Sequence, residues 1–366
     1  MNLSLLIACS LFFFQSQLSA IEPCRWEGHQ PPEEFEDEIV EENGQLNLEK
    51  MSQKFVLETK EIKVPGFSLA FNPSIIRWKD SILLSFRIRN EKGISTFEMG
   101  LVWLDKEFNP ISIPQVLEVP PNELTSTIKH QDPRLVTIKD RLYIVYSNIL
   151  DPVVGEGENR RMFFAEVLFD GDRFFATTPS CLTNFEGEKK QRWEKNWAPF
   201  DYKGNLLLAY SILPHLIFYP HPILNRCDTI ASSSGKIDWN WGILRGGTAP
   251  TLEEDQYLGF FHSCKNMPTI QSNGKNITHY FFGAYTFSAE PPFNITQISP
   301  KPILAKTFYT GPFYNTWKPL RVVFPCGHIS DEKFVWVAYG KQDHECWVAK
   351  LDKKQLMKSL IPVETQ

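Results

Sequence analysis

The sequence predicts an all-β chain, a five-bladed β-propeller preceded by a short N-terminal arm. Three observations carry this reading. From about Phe55 onward the chain breaks into short β-rich runs divided by turn residues. The same strand–turn–strand unit returns five times, and a recurring supersecondary unit is what a propeller blade looks like in sequence. No helix-period pattern of useful length precedes Lys353–Leu360, which reads as a short terminal helix.

The first unit is Phe71-Asn-Pro-Ser-Ile-Ile-Arg-Trp78, a turn at Lys79-Asp80, then Ser81-Ile-Leu-Leu-Ser-Phe-Arg-Ile-Arg89. The second runs from Asp132-Pro-Arg134 through Lys139-Asp140 to Ser147, and the third from Asn196 through Tyr202-Lys-Gly204 to Ser211. Gly247-Thr-Ala-Pro250 begins the fourth, which turns at Glu253-Glu-Asp255 and ends at Phe261-His262. The fifth spans Val322 to Gly340 around Ser330-Asp331-Glu332. A β-sandwich with a second domain would explain the strands but not their recurrence. In a propeller the innermost strands converge on an axial funnel. The polar residues at the ends of these units, Arg87, Arg89, Asp132, Lys195, Asn196, His262 and Asp343, are therefore expected to meet there.

Composition agrees. Of 366 residues 42% are hydrophobic and 13% aromatic, which suits a large β core. A net charge of −5 offers no broad basic surface, which argues against nucleic acid as a partner. Residues 1–20, with an apolar run from Leu3 to Phe14 and Ser19-Ala20 at the end, read as a secretory signal. That run is too short to span a bilayer, so export without stable membrane insertion is expected. Residues 21–54 read as an acidic arm and residues 55–366 as the propeller domain. Outside the leader's Cys9 lie Cys24, Cys181, Cys227, Cys264, Cys326 and Cys346. They read as one or two bridges among buried free thiols, with no metal-binding spacing. Asn276-Ile-Thr278 and Asn294-Ile-Thr296 are acceptor triplets for glycosylation in a host that glycosylates its secreted proteins.

Five motifs, in order, resemble glycoside hydrolase family 130: His130-Gln-Asp-Pro-Arg134; Lys195-Asn196; Gly247-Thr-Ala-Pro250 with Phe261-His262; Gly283-Ala284-Tyr285 with Glu290-Pro291-Pro292 and Pro302-Ile303-Leu304; and Val323-Phe-Pro-Cys-Gly327 with Tyr339-Gly340-Lys-Gln-Asp343. They span about Phe71 to Leu356. The family's members are five-bladed propellers that phosphorolyse or hydrolyse β-mannosides. The related β-mannosyltransferases of glycosyltransferase family 108 share much of the pattern.

The resemblance implies a mannose-containing oligosaccharide as substrate and no cofactor, with inorganic phosphate as a co-substrate if the enzyme is a phosphorylase. It implies Asp132 as the catalytic acid, delivering its proton directly or through a sugar hydroxyl, and Asp343, Asn196, Tyr339 and Arg134 as substrate contacts. Arg87, Arg89, Lys195 and His262 would form the phosphate pocket. Lys129, His130 and Arg134 lie close to Asp132 in sequence, and their charges would lower its pKa, the wrong direction for an acid. An inverting hydrolase needs a second carboxylate in place of phosphate, for which Glu194 and Glu91 are the sequence candidates. Trp193, Trp197, Tyr285 and Trp317 are candidate sugar-stacking rings. Phosphorolysis, hydrolysis, transfer from an activated mannose, and carbohydrate binding without turnover all remain open at this level.

Overall fold

The computed structural model describes residues 41–42, 44–89, 97–126, 128–152, 157–186, 193–316 and 318–365. The leader, most of the acidic arm, Glu91 and Trp317 lie outside these residues. Among the described residues the chain is all-β, with one α-helix at Lys353–Ser359, N-capped by the Asp352 side chain.

Each of the five units is an antiparallel strand pair. They are Ala70–Trp78 with Ser81–Arg89, Gln131–Ile138 with Arg141–Ile149, and Ala198–Tyr202 with Asn205–Ile212. Thr251–Glu253 with Gln256–Met267 and Val323–Ser330 with Phe334–Lys341 complete the set. Their turns have the chemistry that the sequence promised. Lys79 and Asp80 both have positive φ, as do Lys203 and Gly204, the geometry of a tight two-residue hairpin turn matched to strand twist.

The sheets that grow from these pairs are arranged as in a propeller. Four of them follow a four-strand path. The first adds Phe97–Leu104 and Gln115–Val116, and the second Arg160–Phe169 and Phe174–Ala176, with Ser180–Leu182 alongside. The third adds His215–His221 and Arg226–Ser233. The sheet begun by Val323–Ser330 takes Glu345–Asp352 and then, from the other end of the chain, Val56–Glu61. The remaining sheet departs from the plan, and the expectation of five equivalent blades is corrected to four regular ones. This sheet has seven strands, because its long hairpin Gln256–Met267/Ile277–Ser288 also recruits Arg245–Gly246, Ile295–Ile298, Leu320–Arg321 and Ile361–Pro362.

Strand periodicity packs the sheets face to face. Leu83 points toward the second sheet, where Leu135, Leu142 and Ile144 meet it, while its neighbour Leu84 points the other way, onto Ile329 and Val348. Val145 and Phe164 meet Leu208 and Phe218 across the next gap, and Phe200 and Ile217 meet Tyr257 and Phe287 across the one after. Both faces of the inner strands are thus buried, and each such Leu or Phe contributes roughly 1.5–3 kcal/mol. Leu48 is fully buried as well, and its N–H donates to Gln271 Oε1 at 3.0 Å, so packed structure starts before residue 55. Cys181, Cys227, Cys326 and Cys346 are buried free thiols, whereas Cys264 is disulfide-bonded. Among the described residues no helix is long and apolar enough to cross a membrane, and no cluster of side chains could hold a metal ion.

Candidate active site

The inner strands of three successive sheets open with one backbone device. Asn72, Asp132 and Asn196 have φ of 50°, 54° and 67°. This left-handed conformation costs most L-residues roughly 1–2 kcal/mol, and Asn and Asp tolerate it best. At Asn72 and Asp132 the strand register slips as well, between Phe71 and Ser74 and between Gln131 and Arg134. The bulge re-aims each side chain out of the ladder, and all three line one cavity of about 430 Å³. Gly340 is explained by the same crowding, since a Cβ there would collide with the Asn72 side-chain oxygen.

That cavity is also lined by Arg87, Arg89, Lys195, His262 and Asp343, residues far apart in sequence. Asn72 Nδ2 donates to Asp132 Oδ1 at 2.8 Å, and Arg87 Nη1 approaches the same oxygen at 3.3 Å. Arg87 lies over the Phe97 ring at 3.9 Å. Gln131, with its amide oxygen turned toward the cations, accepts from Arg87 Nη2 at 2.8 Å and Arg160 Nη2 at 3.3 Å. Arg160 in turn lies 5.3 Å from the ring of Trp193, which faces the pocket.

Beneath this layer Arg134 is completely buried. Its guanidinium donates to the backbone carbonyl of Asp132 at 3.0 Å, to Asn196 Oδ1 at 3.1 Å, and to the carbonyls of Gly246 and Gly247. One side chain therefore ties together the turns of three sheets. Arg134 does not line the cavity, where its motif led a substrate contact to be expected, and its donors are spent on these turns instead. Tyr339 departs further from expectation. It is wholly buried in the core, 5.0 Å from the Phe308 ring and 6.4 Å from Trp347, outside the pocket. Trp197 and Tyr285 are also core residues. Glu194 is buried and accepts from Trp197 Nε1 at 3.2 Å, away from the cavity.

Charge decides what the pocket can hold. Among the described residues four cations line it, Arg87, Arg89, Lys195 and Arg245, against two carboxylates, Asp132 and Asp343. Burial pushes the Asp132 carboxyl up, but Arg87, Lys195, Arg134 and the Asn72 hydrogen bond outweigh it and hold its pKa at about 2. Asp343 goes the other way, raised by burial despite Arg87. Burial lowers Lys195 to about 8, with Asp132 opposing. Neither Lys195 nor Arg245 has a hydrogen-bond or ion-pair partner among the described residues, so their donors face the cavity unused.

His262 is held well below its usual pKa of 6.5 by burial, with Arg245, Arg134 and Lys195 adding to the effect. Its Nδ1 lies 3.0 Å from the Gly246 carbonyl. A carbonyl only accepts, so Nδ1 carries the proton and neutral Nε2 keeps a lone pair. With Nδ1 so used, the ring offers Nε2 as an acceptor, whereas the phosphate contact expected of it would need a donor. The sequence reading passed over Asn72, Arg245, Tyr280, Asn315 and Thr316, which line the cavity too. Asn72-Pro73 occupies the same unit entry as Asp132-Pro133, so aligning the repeats would have found it. Arg245 sits on a two-residue strand opposite His262, too short to read from sequence.

The glycoside hydrolase family 130 model, described as β-1,4-mannooligosaccharide phosphorylase, matches residues 40–361. No curated protein sequence matches the chain. Among solved structures, a glycosyl hydrolase from Bacteroides ovatus is similar at TM-score 0.54 and 13% identity, covering 87% of this chain and 96% of its own. The β-1,2-mannobiose phosphorylase of Listeria innocua gives 0.53 and 15%, with 82% and 92% covered. MPT-1, a GDP-Man-dependent mannosyltransferase from Leishmania mexicana, gives 0.51 and 12%, with 82% and 90% covered. At these identities the likeness is one of fold. The family match takes in nearly the whole described chain, including every strand that lines the pocket, and the protein belongs to glycoside hydrolase family 130, whose members act on β-mannosidic linkages.

Proposed function

We propose that the protein cleaves a β-mannosidic bond in this pocket with inorganic phosphate as the nucleophile. The observation that carries this reading is the pair of unused cationic donors, Lys195 and Arg245, in a pocket where cations outnumber carboxylates among the described residues. Phosphate is the anion that such donors match. Its oxygen attacks the anomeric carbon as the bond to the leaving sugar breaks, and Asp132 gives its proton to the leaving oxygen directly or through a sugar hydroxyl. The product of inversion is α-mannose 1-phosphate. In the free pocket Asp132 is ionised. A bound phosphate neutralises Arg87 and Lys195, the two strongest influences holding it so, and lifts its pKa toward the range an acid needs. Asn196 and Asp343 bind sugar hydroxyls, and Arg134 holds the turns that carry Asp132 and Asn196.

Two companion proposals belong with this one. The seven-stranded sheet takes the place of a fifth blade, since it packs between its two neighbours as the other sheets do. Residues 1–20 direct export, a reading that the disulfide at Cys264 supports because such bonds persist in oxidising compartments.

A second reading, β-mannosyl transfer, is favoured by the same cation excess, which also suits the diphosphate of a sugar nucleotide. One experiment separates the readings. The protein is incubated with β-mannobiose with and without phosphate, and with GDP-mannose plus mannose, and the products are identified. Phosphate-dependent mannose 1-phosphate supports the proposal. Free mannose without phosphate would mean hydrolysis, a new mannoside from GDP-mannose would mean transfer, and either result alone overturns phosphorolysis.

A further inference from the structure

One wall of the pocket comes from a segment outside the repeated units. Asn315 and Thr316 line the cavity but belong to the long connection between Ile295–Ile298 and Leu320–Arg321, two strands of the seven-stranded sheet. A loop that shapes a binding pocket needs an anchor, and this one has two. On one side Arg321 donates to the carbonyls of Gly311 at 3.1 Å and Pro312 at 3.4 Å, and its guanidinium lies 3.7 Å from the Phe313 ring. On the other side the Tyr314 ring stacks on His344, with centroids 4.0 Å apart and planes within 9°. The Tyr314 hydroxyl donates to Glu345 Oε1, while Trp347 Nε1 holds Oε2 of the same carboxylate at 2.6 Å. His344 is itself fixed, its Nδ1 lying 3.0 Å from the Gln342 carbonyl.

The anchor point matters because His344 directly follows Asp343, which lines the pocket. Asp343 and Gln342 both have positive φ, so this turn has one defined shape. We propose that Tyr314 is a positioning residue. Its stack on His344 sets Asn315 and Thr316 on the same rim as Asp343, where they form an uncharged wall that recognises the hydroxyls of the sugar. Thr316 donates its own hydroxyl proton to the Lys318 carbonyl, which leaves its oxygen as an acceptor for a sugar hydroxyl. The wall is neutral, whereas Lys195 and Arg245, which also line the cavity, are cationic, so the sugar is assigned to the wall and the anion to the cations. This inference rests on the reading of the pocket as a β-mannoside site.

The test is steady-state kinetics of the full chain and of Tyr314→Ala, Tyr314→Phe and Thr316→Val on β-mannobiose, with KM for phosphate measured alongside where turnover needs it. Loss of a stacked ring and a charge-assisted hydrogen bond is expected to raise the sugar KM about tenfold in Tyr314→Ala. The fall in kcat should be smaller than the rise in KM, and the phosphate KM should be unchanged. Tyr314→Phe keeps the stack and should recover most of the loss, a rescue that a general packing defect would not show. Thr316→Val removes only the wall's oxygen and reports on the wall even if Tyr314→Ala fails to fold. Unchanged sugar KM in Thr316→Val and in a folded Tyr314→Ala overturns the inference, as does an equal rise in the phosphate KM. A wild-type chain that turns over no β-mannoside instead overturns the reading of the site beneath it.

Discussion

Replacing Asp132 by Asn removes one negative charge from a buried cluster and leaves the packing almost unchanged, so its consequences can be worked from charge alone. In the native pocket Arg87, Lys195 and Arg134 hold the carboxyl at about 2, against its usual 3.8. A depression of that size corresponds to about 2 kcal/mol of stabilisation by the ionised form. The sign follows from its direction. The contribution is complete above pH 3.8 and is lost as pH falls through about 2, so at neutral pH the variant forfeits all of it. Asp132→Asn should therefore be less stable by about 2 kcal/mol near pH 7, and the gap should close in acid. Turnover should fall by about 10²–10⁴-fold, the usual worth of a general acid. The same change leaves Arg87 and Lys195 with Asp343 alone as counter-charge, so phosphate should bind the variant more tightly and raise its melting temperature more than the wild type's. Denaturant titrations across pH, thermal melts with and without phosphate, and product assays measure all three. A variant as stable as wild type at neutral pH refutes the electrostatic reasoning, and near-normal turnover removes Asp132 as the acid.

Arg134→Lys should keep the charge but not the fork that reaches three sheets. Losing even one of its buried hydrogen bonds costs about 1–3 kcal/mol, and a lowered melting temperature with a reduced kcat checks this. Tyr339→Phe should leave KM and kcat as they are and change stability by no more than about 1 kcal/mol, because the residue is part of the core. A raised KM for the sugar would return Tyr339 to the site.

Much of this architecture was legible because β structure writes itself locally. Alternation of two and paired turn residues such as Lys79-Asp80 need no long-range information, and the five strand pairs follow from them. Strand partners distant in sequence were not legible. Nothing local tells Val56–Glu61 to pair with Glu345–Asp352, or Leu320–Arg321 to join the hairpin that makes one sheet seven-stranded. The site divides in the same way. Asp132, Lys195, Asn196 and Asp343 stand at unit ends, where topology alone predicts convergence. Tyr339 was misplaced because inner strands are buried on both faces, so alternation no longer says which side chain faces the funnel. His262 lies in the pocket, but the tautomer that decides its role depends on a carbonyl sixteen residues away. Asn315 and Thr316 belong to an irregular connection, whose position is set by Tyr314 and Arg321 rather than by any period.

The return of Val56–Glu61 to the last regular sheet has a consequence for how the molecule is made. During synthesis this strand emerges well before its partner Glu345–Asp352, which follows only after the strands of the three other regular sheets have been made. Until then the chain carries an open strand edge, the kind of surface that pairs with the wrong neighbour. The closing step joins residues far apart in sequence, which makes it a slow, high-contact-order event. Glu364–Thr365 behaves alike, since it pairs with the distant Gly235–Lys236. Closing this sheet is thus a late step, and a nascent chain halted short of residue 345 lacks the partner that Val56–Glu61 requires.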